Sequence, residues 1–140
     1  MPAITAIMID SREPDNIKNL KFAGIPTTVA YLETGDILAV TDDGHELVIE
    51  RKTPDDLLGT LKDDRLFPQL ARMVAKRQEQ QVAGLPVTSW AYLVITEPLR
   101  SDPNTGKVIT QRGITGWSFA AVMGTILSIQ EMGVFVIFAN

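Results

Sequence analysis

The 140-residue chain has no cysteine and only one histidine, His45. The absence of cysteine excludes a disulfide scaffold, a thiolate zinc site and a catalytic thiol. One histidine excludes a two-histidine metal site, and we expect His45 to be an exposed, inert residue at a hairpin tip. Any metal bound by this chain is therefore expected to be a hard cation with oxygen ligands.

The chain also lacks long hydrophobic runs and a recognisable leader. No apolar run approaches the roughly 20 residues that a membrane helix needs, so we expect no membrane partner. The segment Met1-Pro2-Ala3 is not a basic stretch followed by an apolar one, so we expect no secretion. The expected location is cytoplasmic, with nucleoid association and a phage origin both left open.

Length and composition suit one globular domain over residues 1–140, because hydrophobic residues make up 45% of the chain. The net charge of −4 by itself argues against a nucleic-acid partner. Residues 51–77, however, contain seven basic and four acidic residues. The acidic total is therefore an average over a basic segment and a more acidic remainder, and it does not exclude DNA.

Hydrophobic periodicity and turn residues predict strands that alternate with helices. The predicted strands are residues 4–9, 27–32, 36–41, 46–52, 90–96 and 134–138. The predicted helices are residues 14–23, 55–61, 65–82 and 117–131, with Thr53 as N-cap of the second. Residues 101–113 are expected to form a loop or a small hairpin. With an antiparallel meander of early strands, this order predicts an α/β fold with a mixed central β-sheet flanked by helices.

Three acidic residues, Asp10, Asp36 and Glu50, stand where predicted strands begin or end. A single acid at such a place is ordinarily a cap, a turn residue or a surface ion pair. Lys52 is expected to share a strand face with Glu50, since side chains two residues apart point the same way, whereas Arg51 falls on the other face. Carboxylates beside a lysine suit hydrolysis, because the acids hold a cation and the ammonium stabilises developing negative charge.

The turn Asp42-Asp43-Gly44 decides whether Asp36 can join Glu50. A two-residue turn would pair Asp36 with Arg51. A three-residue loop with a left-handed glycine shifts the register by one residue and places Asp36 opposite Glu50, with Cβ atoms ~5 Å apart. We predict the three-residue loop, which would allow the two carboxylates to share one octahedral magnesium.

The residues Gly35-Asp36, Glu50-Arg51-Lys52 and Asp56 resemble the GD…ERKxxxD signature of XPF-type structure-specific endonucleases. That family belongs to the restriction-endonuclease-like group, whose core motif is PD…(D/E)xK. Other segments are also similar to the family, so that the resemblance covers nearly the whole chain; they are residues 9–13, 57–61, 64–70 and 117–138. The resemblance implies a restriction-endonuclease-like three-layer domain.

The resemblance also implies roles for individual residues. The implied catalytic residues are Asp36, Glu50, Lys52 and Asp10. The three carboxylates among them would bind Mg²⁺ or Mn²⁺, and the lysine would activate the water. The implied supporting residues are Arg51, Asp56, Arg12 and Glu13. Asp56 would hold Arg51 or Lys52 in place. The implied DNA-binding residues are Arg65, Gln69, Lys62 and Arg72.

The implied function is metal-dependent hydrolysis of phosphodiester bonds in branched or flap DNA, in repair or recombination. One alternative is a catalytically inactive nuclease-fold module that binds DNA or protein, and another is an RNA- or restriction-type nuclease. Inactive family members usually lose signature acids, whereas this chain retains all of them. Besides DNA, the implied partner is a second copy, held through the C-terminal helix and strand, or a protein that carries helix-hairpin-helix modules.

Overall fold

The computed structural model describes residues 2–139, which contain nine strands and four helices. The strands are β1 (Ile4–Asp10), β2 (Thr27–Ala30), β3 (Ile37–Thr41), β4 (Glu46–Lys52), β5 (Ser89–Ile95), β6 (Arg100–Ser101), β7 (Lys107–Thr110), β8 (Gly113–Ser118) and β9 (Val134–Phe138). The helices are α1 (Asp15–Lys18), α2 (Pro54–Lys62), α3 (Leu66–Val82) and α4 (Phe119–Glu131). Within this described range, no helix combines the length and the apolar character needed to cross a membrane.

The strands form a six-stranded sheet in the order β2-β1-β3-β4-β5-β9 and a three-stranded sheet in the order β6-β7-β8. Strand β1 is parallel to β2 and antiparallel to β3, which is antiparallel to β4. The predicted α/β class with a mixed sheet is therefore confirmed. The predicted antiparallel meander is wrong at β1 and β2, because a long crossover that includes α1 returns the chain to start a parallel neighbour.

Contacts divide the chain into two compact units. The first contains the residues up to Glu50 and Arg72–Tyr92, and the second contains Arg51–Ala71 and the residues from Leu93 onward. Strands β4 and β5 and helix α3 contribute residues to both. The single domain expected over residues 1–140 stays a prediction.

One hydrophobic cluster of the first unit is formed by aliphatic residues of β1 and β3. Its buried members are Ile7, Ile9 and Ala39. Partly buried aliphatic residues pack against them, namely Ile17, Ile25, Ile37 and Leu47. The alternation of buried and half-buried residues along β1 follows the two-residue period of a strand.

The hairpin of β3 and β4 has the predicted three-residue loop. Ile37 lies opposite Ile49, and the Thr41 amide donates to the His45 carbonyl at 2.9 Å. Gly44 has a φ of 83°, the left-handed conformation that this loop requires. The prediction of loop length and register is confirmed.

His45, at the end of this loop, departs from expectation. It is half-buried, and its Nδ1 accepts a hydrogen bond of 3.1 Å from Trp90 Nε1. The two rings also stack, with centroids 6.3 Å apart. The prediction of an exposed residue is wrong because an aromatic side chain of β5, distant in sequence, covers the imidazole.

Helix α1 is much shorter than predicted. It ends at Lys18, and a bridge between Phe22 and Ile25 follows, in which the Ile25 amide donates to the Phe22 carbonyl at 2.9 Å. Gly24, with a φ of 74°, closes this tight turn. The helix predicted over residues 14–23 therefore gives way to a turn that leads into β2.

The second unit contains one confirmed and one revised helix start. Thr53 caps α2 as predicted: its side chain accepts from the Asp56 amide, and Asp56 reciprocates as a capping box. Helix α4 begins two residues later than predicted, because Ser118 accepts from the Ala121 amide and caps it. Trp117 therefore belongs to β8, in the small antiparallel sheet that occupies the expected loop or hairpin.

Two glycines with the same backbone conformation provide a matched test of the hairpin. Gly35 has a φ of 80°, and a Cβ there would lie 2.7 Å from Val48 Cγ1. Gly44 has no heavy atom within 4 Å of an added Cβ. Gly44→Ala is expected to cost about 1–2 kcal/mol of unfolding free energy through left-handed strain alone. Gly35→Ala is expected to cost about 1–3 kcal/mol more, from overpacking.

Urea denaturation of the two variants and the unmodified protein measures this difference. Equal losses in the two variants would contradict the close packing of Gly35 against β4.

Candidate functional site

The site begins with a row of isoleucines that crosses three neighbouring strands. Ile9 of β1 lies opposite Ile37 of β3, which lies opposite Ile49 of β4. One residue further along, at the same end of the three strands, stand the acids Asp10, Asp36 and Glu50. We name these three residues the acid row.

Backbone hydrogen bonds hold the middle of the acid row on both sides. The Asp10 amide donates to the Asp36 carbonyl at 2.8 Å, and the Asp36 amide donates to the Ile49 carbonyl at 2.8 Å. Asp36 and Glu50 are both half-buried. The register that was predicted to bring Asp36 beside Glu50 is therefore the one that the backbone adopts.

Asp10 differs from the other two acids because it is buried, with 3% of its surface exposed. Its Oδ2 accepts from Arg12 Nε at 2.8 Å, and its Oδ1 accepts from the Leu32 amide at 3.0 Å. Burial alone would raise the pKa of this carboxyl. The hydrogen bonds from Leu32 and Arg12 outweigh burial, so the pKa of Asp10 lies below its ordinary value.

Arg12 links this carboxylate to the chain that follows β2. Its Nη2 donates to the Leu32 carbonyl at 2.8 Å, in addition to the contact with Asp10. The hydrogen bond with Asp10 raises the pKa of the guanidinium, and the charge of Asp36 contributes in the same direction. Arg12 therefore lies within electrostatic reach of two members of the acid row.

Glu13, predicted to support the site, is buried just after the end of β1. Its amide donates to the Asp10 carbonyl at 3.0 Å. The structure thus places Arg12 and Glu13 beside the first residue of the acid row, and their supporting role stays a prediction.

The end of β4 carries Arg51 and Lys52, which belong to the second unit. Arg51 is half-buried, and Lys52 is buried while its carbonyl accepts from the Thr96 amide at 2.9 Å. Lys52 follows Glu50 by two residues on one strand, so the two side chains share a face. The catalytic role expected of Lys52 stays a prediction.

The other predicted residues lie on or between the helices. Asp56 caps α2 through Thr53, which gives it a local structural role. Arg65, in the connection to α3, pairs with Asp63 at 3.1 Å. Lys62 and Arg72 are exposed and Gln69 is half-buried. These exposed bases are accessible to a polyanion, and their contact with DNA stays a prediction.

The carboxylates of the acid row are the candidate ligands of a metal ion. Within residues 2–139, no three His, Asp or Glu side chains are grouped closely enough to hold an ion. The half-buried carboxylates of Asp36 and Glu50 are hard oxygen donors of the kind that Mg²⁺ and Mn²⁺ prefer. Each oxygen of the Asp10 carboxylate accepts one hydrogen bond, which leaves lone pairs on both for a cation. The donor chemistry fits such a cation.

Sequence reasoning missed Tyr31, whose ring centroid lies 4.8 Å from the Arg12 guanidinium carbon. In the sequence, this tyrosine is one more β-forming residue of a predicted strand. Only the pairing of β1 with β2 brings it to Arg12, so no local signal was available.

Comparisons with known proteins identify the family and the fold of the chain. A family model described as ERCC4 domain matches residues 9–140. A solved XPF from Aeropyrum pernix is 20% identical with a TM-score of 0.63, over 96% of this chain and 53% of that chain. Its complex with DNA is 19% identical with a TM-score of 0.59, over 96% of this chain and 56% of that chain. No curated protein matches significantly.

The chain thus spans about half the length of these solved structures. At this level of identity the likeness shows the fold. The predicted restriction-endonuclease-like fold is therefore confirmed.

The lowered pKa of Asp10 makes a prediction about stability and pH. Because the pKa is lower in the folded than in the unfolded protein, its contribution is present above the unfolded value and is lost as pH falls through the folded one. Asp10→Asn is expected to lower the unfolding free energy by about 1–3 kcal/mol at pH 7, and by less at pH 3.

Urea denaturation at the two pH values measures the difference, with the exposed Asp15→Asn as control. A loss of the same size at both pH values would refute the assignment of a charged, hydrogen-bonded Asp10.

Proposed function

We propose that the chain, which belongs to the ERCC4 domain family, is a metal-dependent DNA endonuclease that cuts branched or flap DNA in repair or recombination. The observation that carries this proposal is the acid row at the ends of three adjacent strands. The DNA complex of the similar XPF from Aeropyrum pernix supports DNA as the partner.

In this proposal, Asp36 and Glu50 hold Mg²⁺ or Mn²⁺, with Asp10 as the third candidate ligand. The bound cation supplies positive charge that stabilises the negative charge developing on the phosphate. The lysine at the end of β4, Lys52, orients a water and stabilises the same negative charge. Arg12 keeps the buried Asp10 ionised, so that the end of β1 stays negatively charged at neutral pH.

We assign DNA binding to the basic segment 51–77. Its net charge is +3, whereas the whole chain is at −4. Its exposed bases include Lys62, Arg65 and Arg72, each suited to a phosphate contact. Binding through so few phosphate contacts is expected to be modest and to weaken as salt rises.

The second partner in the proposal is another copy of the chain. Strand β9 is the last strand in the six-stranded order, and it exposes three large apolar residues, while helix α4 in the same unit exposes one. These residues are Phe135, Ile137, Phe138 and Leu127. Clustered exposed apolar residues are typical of an interface, which supports a homodimer through the C-terminal helix and strand. A helix-hairpin-helix protein is the alternative occupant.

The nuclease proposal is tested with labelled 3′-flap, fork and plain duplex DNA in the presence of Mg²⁺ or Mn²⁺. The unmodified protein is expected to cut the branched substrates in preference to the duplex, and chelation by EDTA is expected to abolish cutting. Asp36→Asn, Glu50→Gln and Lys52→Met are each expected to lower the rate by at least about 100-fold, since each removes charge from the reacting centre.

Asp15→Asn is the matched control, because it neutralises an exposed carboxylate outside the signature. It is expected to cut at the unmodified rate. DNA binding without cutting would favour the inactive module, and equal cutting by the acid-row variants would exclude the assigned site.

The dimer proposal is tested by Ile137→Asp, since a carboxylate in an apolar interface is costly to bury. Light scattering after size-exclusion chromatography is expected to show a dimer for the unmodified protein and a monomer for this variant. The exposed Val82→Asp, on α3, is the control and is expected to remain dimeric. An unmodified protein that is monomeric at all concentrations would refute the homodimer.

A further inference from the structure

An exposed aromatic side chain stands beside the acid row without a role in the chemistry described above. Tyr31 has 67% of its surface exposed, more than any exposed phenylalanine within residues 2–139. It follows the last residue of β2 directly. This exposure leaves part of the ring surface open to a ligand.

The backbone on either side of Tyr31 is hydrogen-bonded to residues at the end of β1. The Ser11 amide donates to the Ala30 carbonyl at 2.9 Å. On the other side, the Leu32 amide donates to Asp10 Oδ1 at 3.0 Å. Tyr31 is therefore held one residue away from a direct contact with the first member of the acid row.

The ring itself is paired with a fixed cation. The Arg12 guanidinium carbon lies 4.8 Å from the centroid of the Tyr31 ring, within the range of a cation–π contact. Two hydrogen bonds of 2.8 Å, to Asp10 and to the Leu32 carbonyl, fix the guanidinium. Its side chain is nevertheless 61% exposed. We name this pair of side chains the Tyr31–Arg12 platform.

We propose that Tyr31 stacks on an unpaired DNA base next to the bond to be cut, while Arg12 contacts the adjoining phosphate. The inference rests on the proposed endonuclease function and specifies which part of the substrate this end of the site recognises. A tyrosine ring accepts any base, because every base has a π-face. An exposed guanidinium suits a phosphate, through charge-assisted hydrogen bonds.

This arrangement discriminates between DNA structures by a simple physical rule. In an intact duplex, each base is already stacked between its neighbours, so neither of its faces can stack on the Tyr31 ring. In a flap, a fork arm or a single strand, an unpaired base can turn onto Tyr31 without loss of pairing. The Tyr31–Arg12 platform therefore favours substrates that have an unpaired nucleotide near the scissile bond.

The first test compares Tyr31→Ala with two control variants. Tyr31→Phe keeps the ring, and Val29→Ala shortens an exposed side chain of the neighbouring strand β2. Binding to labelled flap, single-stranded and plain duplex DNA is measured by fluorescence anisotropy, with Ca²⁺ in place of the catalytic metal. Tyr31→Ala is expected to weaken flap and single-strand binding by about 5- to 150-fold, the range for one stacked base. The other two variants are expected to bind like the unmodified protein.

The second test places a single abasic nucleotide at successive positions of the unpaired arm. One position is expected to weaken binding by the unmodified protein as much as Tyr31→Ala does. In the Tyr31→Ala variant, the abasic nucleotide at that position is expected to have no further effect, since both changes remove the same contact. Thermal melting followed by circular dichroism checks that each variant is folded.

The outcomes separate this inference from the function on which it rests. If the unmodified protein cuts flap DNA and Tyr31→Ala binds it equally well, the stacking role is wrong and the endonuclease proposal stands. An equal loss for flap and plain duplex would also overturn the inference, since a duplex offers no open base. If the unmodified protein neither binds nor cuts any of the DNA substrates, both proposals fail.

Discussion

The register of β1, β3 and β4 is the constraint on which the candidate site depends. Side chains alternate between the two faces of a strand, so a slip of one residue would move every side chain of β4 to the opposite face. Asp36 would then lie opposite Arg51 instead of Glu50. The loop that prevents this slip contains Gly44 in the left-handed conformation. A residue at the far end of the hairpin thus decides which side chains of β3 and β4 lie opposite each other.

A second constraint is the buried charge of Asp10. An isolated carboxylate at this depth would be strongly disfavoured. Here Arg12 and the Leu32 amide each occupy one of its oxygens, and Arg12 also binds the Leu32 carbonyl. The same contacts fix the chain after β2 against β1, so the charge of Asp10 also stabilises this edge of the sheet. Because Asp36 and Glu50 are only half-buried, the acid row combines one anchored carboxylate with two more accessible ones.

The features that sequence reasoning predicted correctly are those with local causes. The three-residue loop follows from Asp42-Asp43-Gly44, and the cap of α2 follows from Thr53 with Asp56 three residues later. The early end of α1 has a local cause, the turn at Gly24. The other failures have distant causes, such as the contact of Trp90 with His45. The parallel pairing of β1 with β2 was missed for the same reason, and with it the contact between Tyr31 and Arg12.

The net charge shows why an average over the chain is a poor guide to its partner. A polyanion responds to the local potential at its contact surface, and that potential falls off within about 10 Å at moderate salt. The basic segment 51–77 and the acid row both enter the total of −4, although they present charges of opposite sign to a phosphate. The acids of the row repel a phosphate until a cation offsets their charge, whereas the bases attract it. In the proposed endonuclease, DNA binding and cutting are therefore expected to depend differently on metal, because only cutting requires the phosphate to reach the acids.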